Sequence, residues 1–224
     1  MHKTLQIAAF AVLGTGLGVL IALPASAETT TPTPTPATYT CHGLKATIVG
    51  TDAADTITGT DSHDVIVALG GDDVIDGLGG NDVICAGTGN DSVVGGNGRD
   101  WIHGGHGDDL LSGGGGDDRV WGGPGSDRVF GEDGYDVVAG GDGRDIVIGG
   151  NGNDKVYGGA GNDHLLGGTG RDRLFGEQGR DLLEGDLGRD VVRGGRNADL
   201  EFQGSAPTAV VAAWYAAHGP KLTV

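Results

Sequence analysis

Basic residues are scarce in this chain, with 14 Lys and Arg against 31 Asp and Glu and a formal charge of −17. No basic patch is legible, so nucleic acid and anionic membrane, which such a surface repels, are excluded as partners; cations are favoured. Cysteine is limited to Cys41 and Cys85, and the closest histidines, His103 and His106, have no third ligand in phase, which argues against a zinc site. No Ser-His-Asp order and no strand-to-helix nucleophile elbow can be assigned. Of 224 residues, 153 lie in one repeat, so no stretch is long enough for a separate catalytic domain. The reading is therefore non-enzymatic. Glycine is abundant at 48 residues, but the three-residue collagen period is missing and 37% of the chain is hydrophobic, so neither collagen nor low-complexity disorder is expected.

Residues 1–27 read as a secretory signal peptide: Lys3 in a short basic start, an apolar stretch from Ile7 to Leu23, and Ala25-Ser26-Ala27 as a small-x-small cleavage site. Stop-transfer charges are absent and no Cys sits at the cleavage site, so no membrane association is expected after cleavage. Residues 28–40 alternate Thr and Pro and read as an extended, solvated linker. In an exported chain the even cysteine count reads as a Cys41–Cys85 disulfide.

From Gly50 to Phe202 a nine-residue unit recurs 17 times without a break, with Asp at the sixth position every time and an aliphatic residue at the eighth in 16 of 17. Clear copies are GGNGRDWIH from Gly95 and GGNGNDKVY from Gly149. The first six positions read as turn, rich in Gly and with Asn or Asp often at the fifth, suited to positive φ. The last three alternate outward, inward, outward as a strand does. One inward aliphatic side chain per unit, from Ile57 through Leu111 to Val192, is a thin core. It is buried only if successive strands stack on two facing sheets, which makes two units one coil of a parallel solenoid. Residues 41–49 then form an N-terminal cap strand, and residues 203–224, with a short helix in the tail, cover the last coil. In the repeat's own register Cys41 would lie two coils from Cys85, too far to bridge. Residues 41–45 must therefore leave that register and fold over the outer face.

These motifs resemble the repeats-in-toxin (RTX, hemolysin-type) calcium-binding β-roll family, whose repeat is GGxGxDxUx. The resemblance covers residues 50–202 and implies an all-β parallel β-roll that binds Ca²⁺ in its turns. The ion would sit between the sixth-position Asp of one unit and that of the unit two further on, with backbone carbonyls completing the shell. Carried onto this sequence, the implied ligands are Asp73, Asp82, Asp91, Asp100, Asp109, Asp118, Asp127, Asp136, Asp145, Asp154, Asp163, Asp172, Asp181 and Asp190, with Asp55, Asp64 and Asp199 as candidates at the ends. Family members exported by a dedicated transporter use an uncleaved C-terminal signal, and the N-terminal signal expected here departs from that pattern.

Electrostatics reaches the same ion independently. Stacking places the 17 Asp in two columns with about 15 like-charge neighbour pairs, roughly 5 Å apart. At about 0.8 kcal/mol per pair in water, the columns cost roughly 12 kcal/mol before screening, as much as a domain's net stability. A hard cation accepting six to eight oxygens in irregular geometry removes that repulsion; Mg²⁺, which demands a tight octahedron, fits poorly. The chain without calcium is expected to be largely disordered. Departures mark the ends: Ala53 and Ser62 replace the fourth-position Gly, and Glu201 replaces the last inward aliphatic. Arg at the fifth position, as at Arg99 and Arg144, either pairs with the carboxylates or is a solvated turn residue.

Every second unit lies on the same sheet, which puts Arg119 with Trp121, Val137 with Ala139, Lys155 with Tyr157, and Arg173 with Phe175 on one outer face. The opposite face offers Phe130, Ile146, Ile148 and Leu166. The cation and aromatic stripe fits a glycan, a cell-wall polymer or a second roll. A calcium-scaffolded adhesin is therefore the rival reading to a protein that acts through calcium-triggered folding outside the cell. Third-position residues from Asp142 to Gln178, taken in chain order, form no Thr or Asx ladder, which argues against ice binding.

Overall fold

The computed structural model describes residues 38–197, 199–206 and 208–218. The signal peptide and most of the linker expected from the sequence lie outside these residues. From Ile48 onward the chain winds as a parallel β-solenoid of about nine coils, and successive strands alternate between two sheets. The first sheet runs from Ile48–Val49 to Val191–Arg196, and the second from Thr56–Thr58 to Leu200–Phe202. Neighbours within a sheet are 18 residues apart and in strict register, as in Val120 opposite Ile102 and Val138.

The inward column forms the core. Ile66, Ile84, Ile102, Leu111, Val129, Val156 and Leu174 are all fully buried. Ala68 and Ala86 join it, because the first position also faces inward. The strands are longer than the repeat suggests. They run on from the last three positions of one unit into the first three or four of the next, as in Arg119–Gly125 and Lys155–Gly161. The glycines there continue the ladder, with Gly123 opposite Gly141 and Gly125 opposite Gly143, so they are strand rather than turn.

The second and fourth positions, not the fifth, take positive φ. At the fourth position the demand is doubled: Gly143 has φ 146°, and a Cβ there would lie 1.5 Å from the Gly125 carbonyl oxygen. No side chain fits, and this position is Gly in every unit from Gly71 to Gly188. The second position is more tolerant. Leu69, Leu78, Glu132, Glu177 and Asp186 occupy it at φ of 60–81°, each at a local cost of about 1 to 2 kcal/mol.

Each flank covers the outer face of a different sheet. Thr40–Cys41 and Leu44–Lys45 form an antiparallel hairpin outside the repeat's register, and Cys41 is buried against Val65, Val67 and Val83 of the first sheet. Cys41 is bonded to Cys85 at a Cα separation of 5.8 Å. Ile48 then enters opposite Ile66 and packs on the core as the cap strand. At the other end the helix Thr208–His218 forms, and the Trp214 ring lies 6.1 Å from His164, on the outer face of the second sheet. His164 and Glu184, outward by register, are consequently buried and paired at 2.6 Å, and the Ala206 N–H donates to Glu184. The last coil keeps Leu200 and Glu201 exposed, and Glu201 accepts the Gly194 N–H. A polar row also runs along the second sheet, where Asn151 donates to Asp133 at 2.7 Å and Thr169 donates to Asn151 at 2.9 Å. Reading third positions in chain order mixes the two sheets and hides this three-residue row.

Cys41→Ser, which opens a loop of 44 residues, is expected to lower unfolding stability by about 2 to 5 kcal/mol in saturating calcium. Urea unfolding followed by circular dichroism measures it.

Candidate metal centre

The sixth-position aspartates form two columns, one along each edge of the roll, and all are buried except Asp55, Asp190 and Asp199, which are half-buried. Its Oδ1 accepts a backbone N–H from the coil before it. The N–H of Asp55 donates to Asp73, that of Asp73 to Asp91, and so on through Asp181 to Asp199, at 2.7–3.1 Å in every neighbouring pair. A bridge between stacked turns thus offsets part of the like-charge repulsion that the spacing creates.

The second oxygen has no such partner. Oδ2 is buried without a donor in Asp73, Asp82, Asp91, Asp100, Asp109, Asp118, Asp127, Asp136, Asp145, Asp154, Asp163, Asp172, Asp181 and Asp190. These are the 14 positions that the resemblance assigns as ligands, and the 14 units whose fourth residue is Gly. A buried carboxylate oxygen without a donor forfeits its hydration with nothing in return, a cost of a few kcal/mol each. Carbonyl oxygens stand close by. A Cβ at Gly122 would lie 2.2 Å from Asp127 Oδ2 and 2.5 Å from the Gly140 carbonyl oxygen, and Gly95 stands likewise to Asp100 and Gly113. An environment of carboxylate and carbonyl oxygens with no donor suits a hard cation. Among the described residues no three His, Cys, Asp or Glu side chains converge, so an ion in these turns draws much of its shell from backbone carbonyls.

The first two units differ in the expected direction, and for a reason the repeat alone did not reveal. Asp55 Oδ2 accepts the Thr51 N–H at 2.6 Å and its hydroxyl at 2.9 Å. Asp64 Oδ2 takes the same two donors from Thr60, both at 2.8 Å. A Thr four residues before the Asp supplies what the other turns lack, and GTDxxD was the available signal. The electrostatics follow. Burial would raise the Asp64 carboxyl, but donors from Thr60 and Thr47 hold it below the usual value. In the donor-free turns burial wins. It pushes Asp109, Asp118, Asp127, Asp145 and Asp154 up to about 7 and Asp163 up to about 8, with neighbouring Asp charges adding to it.

The fifth position has a job of its own. Where it is Asn or Asp, its side-chain oxygen accepts the N–H of the fifth residue one coil on, as Asn81 does from Arg99 and Asn162 from Arg180. This outer ladder, rather than positive φ, explains the preference for Asx. Arg99 pairs at 2.8 Å with Asp117, another fifth-position residue, and not with a sixth-position carboxylate. Arg144 acts on a sixth-position carboxylate only at range, its charge offsetting part of the rise at Asp163.

A sequence model of the family described as RTX calcium-binding nonapeptide repeat (4 copies) matches residues 49–84, 86–120, 107–138, 121–156, 130–165, 139–174 and 166–200. The chain belongs to the RTX calcium-binding nonapeptide repeat family. No curated protein matches it. RTX repeats are calcium-binding, structural and non-catalytic, and the β-roll, the Asp columns and the donor-free Oδ2 atoms of this chain conform to that family.

The outer stripe falls where register places it. Arg119, Val137, Lys155 and Arg173 are successive partners on the first sheet, as are Trp121, Ala139, Tyr157 and Phe175.

The raised carboxyls of the RTX turns carry a sign. Folded, they hold protons that the unfolded chain, at 3.8, releases, so between about pH 4 and pH 8 the metal-free roll loses stability as pH rises. Circular dichroism of calcium-free protein should show β-structure gained on acidification from about pH 8 to pH 5, whereas apparent calcium affinity falls over the same range because binding displaces those protons.

Proposed function

We propose that this is a secreted, non-enzymatic RTX protein that folds into its β-roll when Ca²⁺ enters the turns outside the cell. The single observation that carries this reading is the set of 14 buried, donor-free Oδ2 atoms. The proposed ligands are those of Asp73 through Asp190, with carbonyl oxygens of the glycine turns. Asp55 and Asp64, already satisfied by Thr51 and Thr60, form a cap that folds without metal. Secretion is supported by the signal-like residues 1–27 and by the Cys41–Cys85 bond, which suits an oxidising compartment. Among the described residues no helix is long and apolar enough to cross a membrane. The proposed division is signal peptide 1–27, linker 28–40, N-terminal cap 41–49, roll 50–202 and C-terminal cap 203–224.

Calcium in these turns supplies positive charge and vacant coordination positions for oxygen. The chain's own residues do the rest. The sixth-position N–H groups orient each carboxylate through Oδ1, the fourth-position glycines let successive turns stack at van der Waals distance, and the aliphatic column excludes water from between the sheets. The second reading, a calcium-scaffolded adhesin, is favoured by the ordered cation and aromatic columns of the first sheet.

Far-UV circular dichroism of residues 28–224 during calcium titration tests the main reading. The expected result is a largely unfolded spectrum in chelator and a cooperative gain of β-structure with calcium, not reproduced by the same concentration of Mg²⁺. A chain fully folded in chelator at neutral pH would defeat it.

A further inference from the structure

The two outer faces differ in charge as well as shape. Strands of the first sheet carry Arg119, Lys155, Arg173, Arg193 and Arg196 against Asp142 and Glu177. Strands of the second carry Arg128 alone against Asp76, Glu132, Asp133, Glu184 and Glu201. A chain of net charge −17 thus gathers five of its 14 basic residues on one sheet, a patch visible only once the 18-residue neighbour spacing is applied.

Within that face the aromatic column is interrupted once. Trp121 is backed by Trp101, with ring centroids 5.3 Å apart, and Tyr157 is backed by Phe175, stacked at 5.1 Å and 14°. Between the two pairs stands Ala139, opposite both Trp121 and Tyr157 in the ladder. The missing side chain leaves a notch in the column, between strands about 9.6 Å apart. Its floor is Ala139 and Val137, and the exposed Arg119 and Lys155 stand one at each wall. Each wall is braced by a second ring, so little side-chain entropy remains to be lost on binding. Beside the notch, along the turn edge, Lys155 and Arg173 also line a cavity of 340 Å³ with Arg171 and Arg189, and the metal-site carboxylates Asp154 and Asp172 line it too.

We infer that this face binds an acidic polysaccharide, with one sugar ring seated in the Ala139 notch between Trp121 and Tyr157 and its carboxylate or sulfate groups on Arg119, Lys155 and Arg173. The apolar face of a pyranose matches an aromatic wall, and anionic groups at sugar-length intervals match cations one or two strands apart. A nucleic acid matches less well. Its denser phosphate charge would meet the surrounding acidic surface, and only one gap in the column accepts a ring. The inference deepens the adhesin reading and rests on the calcium-folded roll as scaffold.

The test is isothermal titration calorimetry of calcium-loaded residues 28–224 with hyaluronan, chondroitin sulfate and short oligogalacturonate, and with uncharged chitohexaose and cellohexaose. Circular dichroism of each sample separates loss of the roll from loss of the face. Binding to at least one acidic chain is expected, weakened by salt. It should fall about tenfold or more in Trp121→Ala and in Ala139→Trp, which fills the notch without removing a ring or a charge. Arg119→Gln with Lys155→Gln should remove the preference for acidic over uncharged chains. Four results would overturn the inference: no binding to any of the three acidic chains by a folded roll; equal affinity for uncharged chains; tighter binding of single-stranded DNA; or self-association lost in Trp121→Ala without glycan binding, which would assign the face to a second copy.

Discussion

A half-satisfied carboxylate governs this molecule. From the third repeat on, each contributes an Asp whose Oδ1 is fixed by a backbone N–H from the preceding coil, while in 14 repeats Oδ2 is buried without a hydrogen-bond partner. A protein cannot afford many such groups, because each costs more than a typical hydrogen bond returns. Repeated along two columns, the deficit is comparable to what one aliphatic side chain per repeat contributes, about 1.5 to 3 kcal/mol. The family's ion carries the oxygen-hungry positive charge that such oxygens lack.

Most other features follow from placing those carboxylates one coil apart. Coils can stack that closely only if the fourth position has no side chain, since a Cβ on Gly143 would meet the Gly125 carbonyl oxygen. The same closeness lets fifth-position Asx residues reach the next turn and builds the outer ladder. At the N-terminal end, where no preceding turn exists to share an ion, Thr51 and Thr60 supply donors from within the chain. Solenoid stability is close to a sum of nearest-neighbour terms, so an end whose carboxylates are already hydrogen-bonded is a suitable place for the ordered stack to begin. The disulfide anchors the hairpin at that same end.

The period made the inward column and the two Asp columns legible, because burial and charge repeat on it without exception until Glu201. It also predicted that Cys41 must leave the register, a matter of distance alone. Other features were hidden for identifiable reasons. Glycine in positions one to three reads as turn because composition does not distinguish a loop from a ladder built on positive φ, as at Gly123. Local conformation alone does not explain the fifth-position preference, because the partner is 18 residues away. The Thr donors at Asp55 and Asp64 were legible in principle, in GTDxxD, but only to a reader asking where each carboxylate oxygen goes. Trp214 seating over His164 depends on tertiary packing that no periodicity encodes.

The account turns on the 14 donor-free oxygens, and a crystal structure of the calcium-loaded protein examines them directly. It should show two rows of ions, one along each edge of the roll, each within about 2.3 to 2.6 Å of an Oδ2 from the Asp73–Asp190 set, with Asp55 and Asp64 still held by Thr51 and Thr60 and no ion ligated by their Oδ2 atoms. Oδ2 atoms hydrogen-bonded to ordered water or to Arg side chains, in turns that hold no ion, would contradict it.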